Sequence, residues 1–104
     1  MALDRLLEKA TAAHRKGAIE AAAGLYREVL ALDPRNDVAC SNLAVIAATR
    51  GDLALAEELF RQAVKLRPDD AKSHHNLGSL LQQRGRPAEA VAAREQRSPH
   101  ALRR

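Results

Sequence analysis

The chain is almost without aromatic side chains. Trp is absent, and Tyr26 and Phe60 are its sole Tyr and Phe, so aromatics make up 2% of 104 residues. That excludes a core of stacked rings, and the Arg-rich end has no aromatic residue on which a base could stack. Cys40 stands alone, so no intramolecular disulfide can form, which suits a reducing compartment. No stretch approaches the roughly 20 consecutive apolar residues of a membrane-spanning helix. Met1 to Lys9 alternate charged and apolar types without the apolar run of a signal peptide. A cytoplasmic protein with no membrane association is the expectation. Also missing are a Gly-rich phosphate loop, a His-Glu-x-x-His pattern and a paired-carboxylate signature. No catalysis, cofactor or metal site is therefore expected.

What is present is alanine and leucine. They dominate the 46% of hydrophobic residues, and both are strong helix formers. Small Ala side chains let helices approach closely, so many slender helices are expected. The length fits one domain able to bury a core without disulfide or metal. The formal charge of +4 is unevenly placed. Four of the seventeen basic residues and one of the thirteen acidic ones lie in 94–104, which leaves the rest at a net +1. The basicity belongs to a terminal segment, read as a disordered or capping tail, and nucleic acid is not an expected partner.

The decisive feature is a repeat. Gly17, Gly51 and Gly85 are spaced 34 apart, and so are Pro34 and Pro68. Ala10, Ala44 and Gly78 follow the same step, as do Ala22, Ala56 and Ala90, and Tyr26 matches Phe60. A fixed period of this size marks a stack of supersecondary units. Within one unit, Cys40, Leu43, Ala44 and Ala47 follow the i, i+3, i+4, i+7 spacing of a helix face. Ala56, Phe60, Ala63 and, less strongly, Arg67 do the same. Between the two faces lies Gly51-Asp52, where Gly can end one helix and Asp can cap the next. Gly17-Ala18 and Gly85-Arg86-Pro87 occupy the same turn, while Asp33-Pro34 and Arg67-Pro68 close each unit.

This pattern resembles the tetratricopeptide repeat family. Residues 37–70 carry its signature through Leu43, Ala44, Ala56, Phe60, Ala63 and Pro68, and residues 3–36 through Ala10, Gly17, Ala22, Tyr26, Val29 and Pro34. Lys9 departs from the family's usual Leu. Residues 71–93 give a partial third unit, with Asn76-Leu77-Gly78 in its first helix and Ala88-Glu89-Ala90 opening its second. The expected fold is an all-α, right-handed solenoid of antiparallel helix pairs, spanning 1–93 with two full repeats and a partial third, followed by the tail 94–104. The third unit breaks the pattern: Arg94 and Arg97 replace the apolar types, and Ser98-Pro99 interrupts the helix. That break reads either as a solvating end cap or as the altered end of a longer array. The second alternative leaves an apolar edge near Leu77, Leu80, Leu81 and Val91 open to self-association.

The resemblance implies a concave groove lined by the first helix of each unit, where family members hold peptides. Groove positions are then Asp4, Leu7, Glu8, Thr11 and Arg15 in the first unit, Val38, Ser41, Asn42, Val45 and Thr49 in the second, and Lys72, His75, Asn76, Ser79 and Gln83 in the third. Asn42 and Asn76 occupy equivalent places, and an amide that both donates and accepts can pair with any peptide backbone. Similar Asn ladders serve some members of the family, and here Glu8 removes the first rung. The expected peptide site is Asn42 and Asn76 with Val45, Thr49, Lys72, Ser79 and Gln83. A carboxylate clamp, by which co-chaperone members grip Glu-Glu-Val-Asp termini, is matched only at Asn42 and Lys72. Its other places hold Leu7, Thr11 and Asn76, so most of its charge-assisted bonds are missing.

The remaining chemistry-bearing residues read as structural. His74 and His75 point about 100° apart on a helix and cannot chelate one metal from a single face. His74 shares the packing position of Cys40, which itself reads as an inert small hydrophobe. Glu57-Glu58 reads as a solvated face. The expected function is a non-catalytic adaptor that binds a protein or peptide segment. Two rivals stand beside it: an accessory segment of a bacterial glycosyltransferase- or sulfotransferase-type protein, and homo-oligomeric assembly through the C-terminal edge.

Overall fold

A computed structural model of the chain describes residues 2–85. Within them the apolar spacing produces five helices and no strand: α1 (Ala2–Arg15), α2 (Ile19–Leu32), α3 (Asp37–Thr49), α4 (Leu53–Leu66) and α5 (Ala71–Gln83). Each helix packs on the next in sequence, giving the helical pairs α1/α2 and α3/α4 with α5 starting a third. Residues 86–104, which include Pro87, Ala88-Glu89-Ala90, Val91, Arg94, Arg97, Ser98-Pro99 and the basic tail, lie outside the described residues.

The turns explain the 34-residue glycine spacing. Gly17, Gly51 and Gly85 have φ of 85°, 86° and 78°, and no other described residue has positive φ. Each ends the first helix of a unit. Gly51 N–H bonds to the Ala48 carbonyl at 3.1 Å and Asp52 N–H to the Ala47 carbonyl at 2.9 Å, which together terminate the helix in a Schellman motif. Gly17 and Ala18 repeat it on His14 and Ala13. An added Cβ at Gly51 meets nothing within 4 Å, so the requirement is one of backbone conformation alone. Gly51→Ala is expected to destabilise the fold by about 1–2 kcal/mol. Gly24, inside α2 and also without neighbours within 4 Å of an added Cβ, has no such requirement. Gly24→Ala is expected to stabilise by about 0.5–1 kcal/mol. Urea denaturation of the two variants should move the midpoint in opposite directions, and shifts of the same sign would refute the assignment.

Caps fix where the next helices begin. Asn36 Oδ1 accepts from Ala39 N–H at 2.9 Å at the start of α3, and Asp52 Oδ1 accepts from Leu55 N–H at 3.3 Å at the start of α4. Asp70 opens α5, with Oδ2 accepting from the Ser73 hydroxyl at 2.8 Å. That bond is the main reason its carboxyl titrates below the ordinary carboxylate value. Ala18, at the start of α2, supplies no side-chain cap.

Among the described residues two clusters form the core, each built on one aromatic ring. Tyr26 lies with Ala10, Ala22, Ala23, Val29, Ala39, Leu43 and Ile46. Phe60 lies with Ala44, Ala47, Ala56, Leu77, Leu80 and Leu81. Leu77, Leu80 and Leu81 are 6%, 2% and 1% exposed, so these three are packed, while Val91, the fourth residue of the expected edge, lies outside the described residues. The reading of Arg67 is corrected. It lies beyond the end of α4 rather than on its packed face, and its guanidinium reaches Asp37 at 3.2 Å. Glu57 is not on a solvated face: it is only partly exposed and bridges Arg61 at 2.8 Å and Arg84 at 2.7 Å. One carboxylate thus ties α4 to the end of α5.

Candidate peptide groove

Residues of the first helices line two adjoining hollows. Between α3 and α5 lies one of about 290 Å³, lined by Asp37, Val38, Ser41, Asn42, Val45, Asp70, Lys72, Ser73 and Asn76. It brings together four of the seven sequence-predicted site residues: Asn42, Asn76, Val45 and Lys72. Thr49, Ser79 and Gln83 are exposed but do not line it. The Thr49 hydroxyl is turned back onto the Val45 carbonyl at 2.9 Å. Apolar surface is available within the hollow, since Val38 is 41% and Val45 39% exposed.

Asn42 and Asn76 are both partly buried, but they are not equivalent. Asn42 Nδ2 donates to the Tyr26 hydroxyl at 3.1 Å. The same hydroxyl lies 3.4 Å from His14 Nδ1, and the His14 and Tyr26 rings meet edge to face at 5.9 Å. A polar chain therefore runs from α1 through α2 to α3 and holds one end of the Asn42 amide, leaving Oδ1 as an acceptor. Sequence reasoning missed Tyr26 and His14 in this role. The signal was the one difference between the paired aromatics: Tyr26 carries a hydroxyl that Phe60 lacks. Burial pushes the Tyr26 phenol above its ordinary value, against the opposing pull of the Asn42 bond and the Arg15 charge.

The second hollow, about 230 Å³, lies between α1 and α3 and is lined by Thr11, His14, Arg15, Tyr26 and Asn42. The two hollows meet at Asn42 and together follow the face formed by α1, α3 and α5. His74 and Cys40 stand away from this face. His74 is 5% exposed with Nε2 donating to the Pro68 carbonyl at 2.7 Å, a satisfied core histidine. Cys40 is buried, and burial, followed by Asp37 and Asp33, raises its thiol above the ordinary value, which disfavours the reactive thiolate. Among the described residues no cluster of His, Cys, Asp and Glu is arranged to hold a metal ion. No helix among them is long and apolar enough to cross a membrane.

The tetratricopeptide repeat family model matches residues 37–99. The chain is a member of that family. Tetratricopeptide repeats serve as protein-interaction modules, and the helical pairs and glycine turns described above are this member's version of the unit. It is 37% identical over 94 residues to the Hsp70-Hsp90 organizing protein of Triticum aestivum, covering 88% of this chain and 16% of that protein. It is 32% identical over 79 residues to tetratricopeptide repeat protein 7B of Homo sapiens, covering 76% of this chain and 9% of that one. Among solved structures, it resembles an O-GlcNAc transferase mutant of Thermobaculum terrenum with TM-score 0.82 and 31% identity, over 90% of this chain and 18% of that one. MamA superimposes with TM-score 0.85 at 17% identity, over 90% of this chain and 55% of that one, a likeness of fold alone. This tetratricopeptide repeat chain thus spans a small part of the curated relatives that it matches.

Proposed function

We propose that the chain is a non-catalytic, cytoplasmic binding module that holds an extended peptide segment across the face of α1, α3 and α5. The observation that carries this reading is the hollow between α3 and α5, where two amides one repeat apart share a wall with two exposed valines. The amides pair with peptide backbone, and the valines take aliphatic side chains. Thr49, Ser79 and Gln83, exposed on the same helices, extend the contact surface along the peptide. Each amide bond contributes about 0.5–1.5 kcal/mol, so binding is reversible and tolerant of sequence. Peptides selected from a random display library on the wild-type chain supply the probe. Fluorescence anisotropy on one such peptide is expected to show Asn42→Ala/Asn76→Ala binding about 5- to 150-fold more weakly, with circular dichroism unchanged. Equal affinity would remove the amides from the site.

A second reading is favoured by the 31% identity to the O-GlcNAc transferase structure: the same groove docks substrates for a catalytic domain elsewhere in a larger protein. The peptide chemistry is the same in both readings. The co-chaperone clamp gains less from the wheat relative, because Leu7 and Asn76 stand where its lysine and arginine are needed.

A further inference from the structure

The junction between the first and second units carries a hydrogen-bond chain that the next junction lacks. Asn42 Nδ2 donates to the Tyr26 hydroxyl at 3.1 Å, and that hydroxyl lies 3.4 Å from His14 Nδ1. The positions 34 residues further on hold Ala48, Phe60 and Asn76. The amide is kept there, while both of its partners are replaced together by side chains without a polar atom. Packing does not ask for the difference. Phe60 fills the second core cluster as Tyr26 fills the first, and the edge-to-face contact of His14 on Tyr26 needs a ring but no ring nitrogen.

The chain has a direction. Tyr26 is 0% exposed, so a neighbouring side chain has to receive its hydroxyl proton. The oxygen accepts from Asn42, which sends the proton to His14 Nδ1 and leaves the neutral imidazole with its own hydrogen on Nε2. Asn42 Oδ1 then stands as an acceptor in the groove. One further proton reverses the order. When solvent delivers it to Nδ1, that nitrogen becomes a donor to the Tyr26 oxygen. The hydroxyl proton turns to Asn42, the other partner already in contact, and the amide rotates so that Oδ1 receives it. Nδ2 then faces the groove with both of its hydrogens. Among the described residues lining the hollow around His14, Arg15 stands beside it on α1, the Tyr26 phenol faces it from α2, and α3 brings the Asn42 amide, which does not titrate. Between about pH 5 and 8 histidine is the side chain that changes charge. Arg15 stays charged over that range, and Tyr26, raised by burial, stays neutral.

We propose that His14 is a specificity-determining positioning residue of the groove, which through Tyr26 sets which end of the Asn42 amide the peptide meets. With His14 neutral, Asn42 accepts from a backbone N–H of the peptide. With His14 charged, Asn42 donates to a backbone carbonyl instead. Asn76 has no such control and pairs with either. The inference rests on the groove reading above and adds a dependence on pH at one of its two amides. Backbone N–H and carbonyl groups lie at different places along an extended chain. A peptide held in register by Asn76 and the valines must therefore slide to exchange one for the other.

The test begins without a ligand. Nitrogen-15 NMR of the His14 ring, assigned by the loss of its signals in His14→Asn, is expected to show hydrogen on Nε2 and none on Nδ1 at about pH 7.5. Hydrogen on Nδ1 at that pH would overturn the inference. Binding is then measured with a library-selected peptide that has blocked ends and no Asp, Glu or His, made as a series in which one backbone N–H at a time is replaced by an ester oxygen. At about pH 7.5 one ester is expected to bind the wild type about 2- to 12-fold more weakly, with no such penalty on Asn42→Ala. At about pH 5.5 the penalty should vanish. His14→Asn, whose amide oxygen takes the place of Nδ1 and does not titrate, should keep the penalty at both pH values. Tyr26→Phe should make it the same at both, and circular dichroism confirms that each variant is folded. A series without an Asn42-dependent penalty, one with an equal penalty at the two pH values, or one whose pH dependence survives in Tyr26→Phe would overturn the role of His14 and leave the groove standing. A wild-type chain that selects no peptide would overturn the groove and the role of His14 together.

Discussion

Replacing Phe60 by Ala is expected to destabilise the fold by about 3–5 kcal/mol, the usual result of deleting a buried ring. Phe60 is 4% exposed and sits among Ala44, Ala47, Ala56, Leu77, Leu80 and Leu81. Three of these neighbours are alanines, whose single methyl groups have no alternative rotamer with which to fill the space. The cavity therefore persists rather than collapsing, which sets the cost toward the upper end. Against a total stability of about 5–15 kcal/mol for a domain, one substitution takes a large share. The location adds to it. In a solenoid each repeat is held by its neighbours, and Phe60 joins α4 both to α3 and to α5. Urea denaturation followed by far-ultraviolet circular dichroism measures the loss. A change below about 1 kcal/mol would mean that the site repacks, contrary to the close-packed interior inferred here.

Why so much of the fold was legible follows from which residues fix it. A positive φ is accessible at little cost only to Gly, so Gly17, Gly51 and Gly85 declare the ends of the first helices in the sequence itself. Ala10, Ala44, Ala22 and Ala56 are each 0% exposed, because helices this close leave room for nothing larger. Local rules of this kind act within a few residues and repeat every 34. Contacts across larger separations were not legible. Glu57 with Arg61 is readable as an i, i+4 pair, but Arg84, 27 residues from Glu57, is brought there only by the packing of α5 on α4. Arg67 shows the same failure: its spacing continues a helix face, while its charge finds Asp37 across the turn. Half of the candidate groove was legible for the same reason. Equivalent register places Asn42 and Asn76 on one hollow, but the Tyr26 hydroxyl that ties down Asn42 comes from another helix, 16 residues away. The acceptor left to Asn42 is thus a consequence of tertiary structure that no spacing rule contains.

That hydroxyl separates two roles of one side chain, and its substitution should separate them too. Tyr26→Ala removes a side chain that is 0% exposed from the first cluster and should destabilise by about 3–5 kcal/mol. Tyr26→Phe keeps the ring and removes only the bond to Asn42 and the proton offered to His14, a loss of about 0.5–1.5 kcal/mol. Titration gives a second handle. Burial holds the Tyr26 phenol above its ordinary value of 10.0, so above that pH the native state keeps a proton that the unfolded chain has released. Stability is then fully present below the ordinary value and falls as pH rises through the raised native one. Urea midpoints measured from neutral pH upward should decline on that alkaline limb for the wild type, and the contribution from this site should disappear in Tyr26→Phe. A limb of equal slope in both proteins would place the alkaline sensitivity elsewhere. A Tyr26→Phe variant that matches Tyr26→Ala in stability would mean that the hydroxyl network, rather than the ring, holds the first repeat together.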